Sequence, residues 1–326
     1  PVERVTPASF AGNNSYYMSK DASYAMHTHS RFNQPPASQI IRTEGHATIT
    51  QLTTNDALNA QLANEVLPSH EFFSVEARDG VELDGWIMFP ADMAPNKKYP
   101  IIFYVYGEPW GSTVQDRWGG NSYLWNSMMT QKGFIMASVD NRGTRAPKGR
   151  DWRKSIYKKI GSVTVRDQAD ALDAMAARWS QIDTSRVGVW GHSGGGSSTL
   201  NLLFRHGDKF HVGVAQAPVA DIRYYDTIYQ ERYSGNPNTD PDSYTQTSPV
   251  TFAKDLQGNL LLVHGTGDDN VHYQGTEALI NELVEHNKQF EFMSYPNRSH
   301  SIREGKGTTL HLQTMKTNYF MEHLKP

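Results

Sequence analysis

A serine set among glycines, between an apolar strand and a helix, limits what this chain can fold into more than any other feature. The segment is Trp190-Gly191-His192-Ser193-Gly194-Gly195-Gly196. It follows the apolar run Arg186–Trp190 and precedes the helical pattern Ser197–His206. G-x-S-x-G in that setting predicts a sharp strand-to-helix turn with the serine at its tip. Side chains two residues before and two after the serine would collide in so tight a turn, so Gly191 and Gly195 stand there. Ser193 is then strained, with its hydroxyl exposed above the sheet. The Gly194 N–H is left at a helix start, where it can donate to an oxyanion. The competing reading is a phosphate loop. No Lys follows the glycines, so G-x-x-x-x-G-K fails, and the spacing of a dinucleotide fingerprint is wrong.

A serine at a turn is not yet a mechanism. Acyl transfer also needs a carboxylate and then a histidine later in the chain. The apolar run Leu260–Val263 leads into His264-Gly265-Thr266-Gly267-Asp268-Asp269-Asn270. The run Phe290–Tyr295 leads into Pro296-Asn297-Arg298-Ser299-His300. Ser193, Asp268 and His300 thus each lie just past a strand end, where open α/β sheets place their sites. His300 would take the Ser193 proton and return it to the leaving group, and Asp268 would orient the imidazole. Taken singly, an Asp-Asp-Asn loop is ordinary turn chemistry, and one His of thirteen is ordinarily on the surface. The ordered coincidence of the three singles them out. His192 is expected to point away from the cleft. His27 and His29 share a strand face, but no carboxylate or third His is near them in sequence, so no metal is assigned.

The chain changes character along its length. Residues 1–53 hold about four short strands bounded by turn clusters: Tyr16–Met18, Tyr24–His29, Gln39–Arg42 and Ala47–Leu52. Such a meander has one face to bury and nothing in its own sequence to bury it on, so it reads as the remnant of a longer all-β region. Residues 54–70 form a connector, with a helix from Asn55 to Val66. From residue 71 to 326, strands and helices alternate. Eight strand candidates, several of them unbroken apolar runs, predict a mostly parallel sheet covered by helices on both faces. A length of 326 residues, 38% hydrophobic, accommodates one large domain or two ordinary ones. A net charge of −3 offers no basic excess, so nucleic acid is not an expected partner. The absence of cysteine removes disulfides, Cys-ligated metals and a thiol nucleophile together. No apolar run reaches the ~18–20 residues of a membrane span. The start, Pro1-Val2-Glu3-Arg4, lacks Met and a signal pattern, as expected of a chain that begins after processing or inside a longer protein.

Further motifs carry a resemblance. They are Phe103-Tyr104-Val105-Tyr106-Gly107-Glu108-Pro109, Asp140-Asn141-Arg142-Gly143-Thr144, Asp167-Gln168, Tyr224–Tyr233 and His264–His272. With the serine turn, they make residues 71–326 resemble the catalytic domain of the prolyl oligopeptidase family, most closely its dipeptidyl peptidase IV branch. The resemblance implies an α/β-hydrolase fold preceded by the tail of a β-propeller. It implies a serine peptidase that cleaves peptides after proline (or alanine) through an acyl-enzyme, without cofactor or metal. Tyr106 would partner the Gly194 N–H at the oxyanion. Tyr225, Tyr229, Val219 and Val271 would line an apolar pocket for the proline ring, and Asn270 would donate to a substrate carbonyl. The full-length protein would be an extracytoplasmic homodimer.

This chain departs from the branch at several places. His192 and Gly194 flank the serine where the branch commonly has Trp and then Tyr or Asn. Ile222 stands where an aromatic residue often closes the pocket, and Glu108 replaces a Gly. The branch's exopeptidases anchor the substrate amine with a glutamate pair from the propeller, and no Glu-Glu pair occurs here. These departures keep a second expectation open: an acylaminoacyl-type peptidase or esterase of looser specificity.

Overall fold

The computed structural model describes residues 4–326; Pro1, Val2 and Glu3, where the sequence reading of the chain start falls, lie outside the described residues. Two compact units emerge. One comprises residues up to Ser69 together with Gln115–Gln131, the other His70–Val114 with Lys132–Pro326.

The first unit contains the four expected strands, β1 (Asn13–Met18), β2 (Tyr24–Arg31), β3 (Gln34–Arg42) and β4 (Ala47–Thr53), paired in chain order as an antiparallel meander. Strand β2 alternates as a half-buried strand should, with Ala25 and His27 buried and Tyr24 and Met26 exposed. The turn before it is held by Asp21, whose carboxylate accepts from Ser19 Oγ, Ser23 N and Ser23 Oγ. Helix α1 (Asp56–Leu62) is shorter than expected. Asn55 is left-handed (φ 57°), and the Asn64 amide donates to the Ala60 carbonyl, a side-chain bond that competes with helix continuation. Part of the cover for the meander comes from far along the chain. Within this unit, helix α2 (Asn121–Gln131) sets Tyr123 edge-on to Phe32, and Asp116 accepts from the Phe32 N–H at 2.7 Å.

In the second unit a single eight-stranded sheet carries the site. Its strands are β5 (Ser69–Glu76), β6 (Glu82–Phe89), β7 (Tyr99–Tyr104), β8 (Ile135–Asp140), β9 (Ile182–His192), β10 (Val212–Gln216), β11 (Asn259–Gly265) and β12 (Glu291–Tyr295). Their order across the sheet is β12-β11-β10-β9-β7-β8-β6-β5. The six strands β7 to β12 are parallel to their neighbours, and β6 is antiparallel to β8. The connecting helices are α3 (Gly149–Lys154), α4 (Val163–Arg178), α5 (Gly194–Arg205), α6 (Thr227–Ser234), α7 (Pro241–Thr247), α8 (Tyr273–Glu285) and α9 (Thr308–Leu324). This mixed sheet with helices is the expected α/β-hydrolase architecture, and the four-stranded sheet before it matches a propeller remnant.

The unbroken apolar runs behave as double-covered strands. Every residue of β8 and β10 is buried, as is β11 beyond Asn259. Each such side chain contributes about 1.5–3 kcal/mol relative to exposure, and Phe103 on β7 meets Phe210 edge-to-face at 5.7 Å in the centre. Two boundaries differ from expectation. β9 begins at Ile182, earlier than Arg186, because Asp183-Thr184-Ser185 is polar and partly exposed and carries no apolar pattern. β7 ends at Tyr104, short of the strand Pro100–Tyr106 expected from the sequence, so Tyr106 and Glu108 belong to a loop.

Candidate active site

The turn at the end of β9 has the predicted strain. Ser193 adopts φ 60°, ψ −124°, a region that non-glycine residues rarely occupy. Its N–H donates to Gln216 O at 2.9 Å, tying the tip to β10. The glycines are obligatory on steric grounds. A Cβ on Gly191 would lie 2.4 Å from the Gly195 carbonyl, and one on Gly195 would lie 2.2 Å from Val105 O. Gly194 opens α5, where the first N–H groups have no partner inside the helix.

Asp268 follows β11 and is held from four sides. Its Oδ1 accepts from the N–H groups of Asn270 (3.0 Å) and Val271 (2.8 Å). Its Oδ2 accepts from His300 Nδ1 (2.7 Å) and from His264 Nε2 (3.0 Å). Burial pushes this carboxyl up, but the bonds from His264 and His300, the His300 charge and the Val271 amide hold it well below the usual carboxylate range. His264 is fully buried; Nδ1 takes a bond with Thr276 Oγ1 at 2.7 Å, which leaves the Nε2–H shared between Asp268 Oδ2 and Val271 O. Sequence reasoning missed its part. The only signal was a histidine at the end of a buried strand, four residues before the aspartate.

Ser193 and His300 line one cavity of about 470 Å³. Tyr106, Gly194, Val219, Ile222, Tyr225, Tyr229 and Asn270 line it as well, so nearly all candidate residues are brought together. Asp268 stands outside the lining, behind His300. Val271 is also outside it. Rather than facing the cavity it packs with Val219, Ile222 and Tyr244 in a small apolar cluster, with Tyr225 against it. Tyr225 and Tyr229 meet edge-to-face at 5.7 Å, and Tyr225 Oη donates to Asn270 Oδ1 at 2.9 Å. That bond leaves the Asn270 NH₂ group for another acceptor. Contrary to expectation, His192 does not turn away. Its ring lies 4.5 Å from the His300 ring, its Nε2 is 2.7 Å from His300 O, and it joins the cavity lining. Burial lowers its pKa to about 4, so it is neutral at physiological pH.

The loop after β7 is pinned by residues that had no assigned role. Gly107 O accepts from Asn141 Nδ2 (3.1 Å) and Thr164 Oγ1 (3.2 Å), and Ser198 Oγ reaches Tyr106 O at 3.3 Å. Gln168 Nε2 donates to Val139 O and to Asn141 Oδ1, and Arg142 pairs with Asp167 at 2.6 Å. These buried bonds hold Tyr106 beside the serine turn. Burial, with the nearby Glu108 carboxyl, raises the Tyr106 pKa, so its O–H stays a donor. Glu108 also lines the cavity, and its Oε2 accepts from Tyr229 Oη at 2.7 Å. Burial pushes its carboxyl up to about 7 against the opposing pull of that bond.

A third histidine does approach His27 and His29. The His46 ring lies 4.7 Å from that of His27. Both ring nitrogens of His27 are engaged, by Asn14 and Gln39, and Nε2 of His29 and of His46 by Ala11 O and Tyr16. Among the described residues no group of three His, Cys, Asp or Glu side chains is disposed to hold a metal ion.

Known proteins resemble this chain along most of its length. A model of the prolyl oligopeptidase family matches residues 121–326. Human dipeptidyl peptidase 8 is 35% identical over 260 residues, covering 78% of this chain and 28% of that protein. The probable dipeptidyl peptidase 4 of Emericella nidulans is 30% identical over 329 residues, covering 98% of this chain and 41% of that one. The crystal structure of Porphyromonas gingivalis dipeptidyl peptidase 4 superposes with a TM-score of 0.91 at 35% identity, covering 96% of this chain and 44% of that one. The chain thus spans less than half the length of these relatives.

Proposed function

Because this chain belongs to the prolyl oligopeptidase family, we propose that its protein is a serine peptidase that cleaves dipeptides from peptides after proline. The observation that carries the reading is the 2.7 Å bond between His300 and a firmly ionised Asp268, with His300 and Ser193 on one cavity walled by Val219, Tyr225 and Tyr229.

The chemistry follows from the arrangement. Asp268 fixes the proton on His300 Nδ1, which leaves Nε2 free to act as a base. Nε2 takes the Ser193 proton as Oγ attacks the scissile carbonyl. Negative charge develops on the carbonyl oxygen, and the Gly194 N–H and Tyr106 O–H would donate to it. His300 returns the proton to the leaving amine and an acyl-enzyme forms. Water then repeats the cycle and releases the acid. The tyrosine walls suit a rigid pyrrolidine ring, which is recognised by burial and shape without a polar partner. Asn270, whose Oδ1 accepts from Tyr225, would donate from its NH₂ group to the preceding substrate carbonyl.

Ser193→Ala in the full-length protein should abolish turnover of an X-Pro chromogenic amide, by at least about 10³-fold in kcat. Activity within tenfold of wild type would overturn the assignment. A second reading, an acylaminoacyl-type peptidase or esterase, draws on the departures at His192, Gly194 and Ile222, all in the cavity lining. Equal kcat/KM for Gly-Pro and Gly-Ala amides would favour it over a proline pocket.

A further inference from the structure

Glu108 is a departure that the mechanism above does not use. Its side chain fills the space beside Gly194. A Cβ built on Gly194 would fall 2.1 Å from Glu108 Cγ and 3.2 Å from its Oε1. The glutamate from the loop after β7 therefore stands where a side chain beside the serine would begin. Its two oxygens are used unequally. Oε2 accepts from Tyr229, whereas Oε1 accepts no hydrogen bond among the described residues. A carboxyl with one uncommitted oxygen thus lines the cavity that holds Ser193, beside the tyrosines and among both apolar and polar side chains.

An acceptor that opens onto the cavity discriminates between substrates with and without a donor to fill it. Resting on the peptidase reading, the geometry points to Glu108 as a specificity-determining residue. It adapts the subsite to a substrate residue that carries a short hydroxyl group, such as serine or threonine, immediately before the scissile bond. Oε1 accepts the hydroxyl hydrogen while Tyr229 holds the carboxyl in place through Oε2. Ionisation strengthens the acceptor, since hydrogen bonds to a charged group are roughly twice as strong. Three tyrosines face or adjoin the carboxyl: Tyr106 from its own loop, Tyr225 from the segment just before α6, and Tyr229 from the first turn of α6. All three are held neutral by burial. His192 and His300 share the cavity. With its pKa near 7, Glu108 changes charge in the working range.

Serine and alanine differ by one hydroxyl, so the test is the ratio of kcat/KM for Gly-Ser and Gly-Ala chromogenic amides with the full-length protein. Every titration common to the two substrates, that of His300 included, cancels in the ratio. In the wild type the ratio should rise about 3- to 10-fold from pH 6 to pH 8.5. Glu108→Ala should lower it about tenfold at pH 8.5. Glu108→Gln, which keeps the shape and an acceptor, should remove its pH dependence. A wild-type ratio that stays flat with pH overturns the inference, and it needs no variant to fold. So does a ratio unchanged in Glu108→Ala. Wild-type protein that turns over neither amide, nor Gly-Pro, overturns the peptidase reading and this inference with it. Turnover with a flat ratio removes this inference alone.

Discussion

Asp268 and Glu108 are two carboxyls at one cavity, and their surroundings drive them in opposite directions. Asp268 receives two backbone N–H groups and two histidines, and these donors outweigh its burial. Glu108 receives one phenol, and there burial wins. Charge density follows from donor count: each hydrogen bond to the ionised form offsets part of the desolvation cost, and one is not enough. The difference separates the work of the two sides. Behind His300 a carboxylate must stay charged to hold a proton in place. In the wall, a carboxyl that titrates near 7 gains its charge, and with it the stronger acceptor, only in the upper part of the working pH range.

The sharpest way to break this comparison is to neutralise each group in turn. Asp268→Asn should lower kcat on an X-Pro amide by about 10³–10⁴-fold with KM little changed, because the amide cannot hold His300 in the right tautomer. Glu108→Gln should change kcat on the same substrate less than tenfold, since a proline ring presents no donor to Oε1. Steady-state kinetics separates the two. Equal losses would mean that both carboxyls act on the proton.

A smaller effect tests whether Glu108 occupies the place of a neighbour. Gly194→Ala puts a methyl group 2.1 Å from Glu108 Cγ, so one of them must move. We expect kcat/KM to fall about 10²-fold, as misplacement by about 1 Å does. Combining it with Glu108→Gly should recover most of that loss, although each single change is harmful or neutral. A double variant no better than Gly194→Ala alone would show that the methyl group harms the Gly194 N–H directly.

Not all of this could be read from the residues. Ser193, Asp268 and His300 were legible because each follows an apolar strand, and strands buried on both faces announce themselves as unbroken runs, as β10 and β11 do. His264 and Asn141 were not, because a buried polar side chain takes its meaning from partners. Those partners, Thr276 and Gly107, come from other elements. The Glu108–Gly194 fit joins two loops that no local pattern links. Helix α2 was legible as a helix from its composition, but its place in the compact unit of the meander was not, since Phe32 and Tyr123 are far apart in sequence. The start of β9 was hidden for the opposite reason: Asp183-Thr184-Ser185 looks like a loop, and Asp183 Oδ1 indeed accepts from the Ser185 N–H within the strand.

The smallest expected effect bears on stability, and the two carboxyls should differ there in sign. The Glu108 pKa rises on folding from an ordinary 4.5 to about 7. Below pH ~4.5 the group is protonated in both states and costs nothing. As pH rises from there to 7, the unfolded chain ionises while the folded one resists, so stability falls. Above 7 the cost is constant, on the order of 2 kcal/mol once residual solvation is allowed for. Glu108→Gln keeps an acceptor for Tyr229 and removes this cost. Its Tm should match the wild type near pH 4.5 and exceed it by several degrees at pH 8. Asp268 runs the other way. Its folded pKa is depressed, so its contribution is present above the unfolded value and is lost only as pH falls through the folded one. Asp268→Asn should therefore lower Tm at pH 8, where Glu108→Gln raises it. Calorimetry of both variants at pH 5 and pH 8 decides, and shifts of the same sign at pH 8 would remove the distinction between the two sides of the cavity.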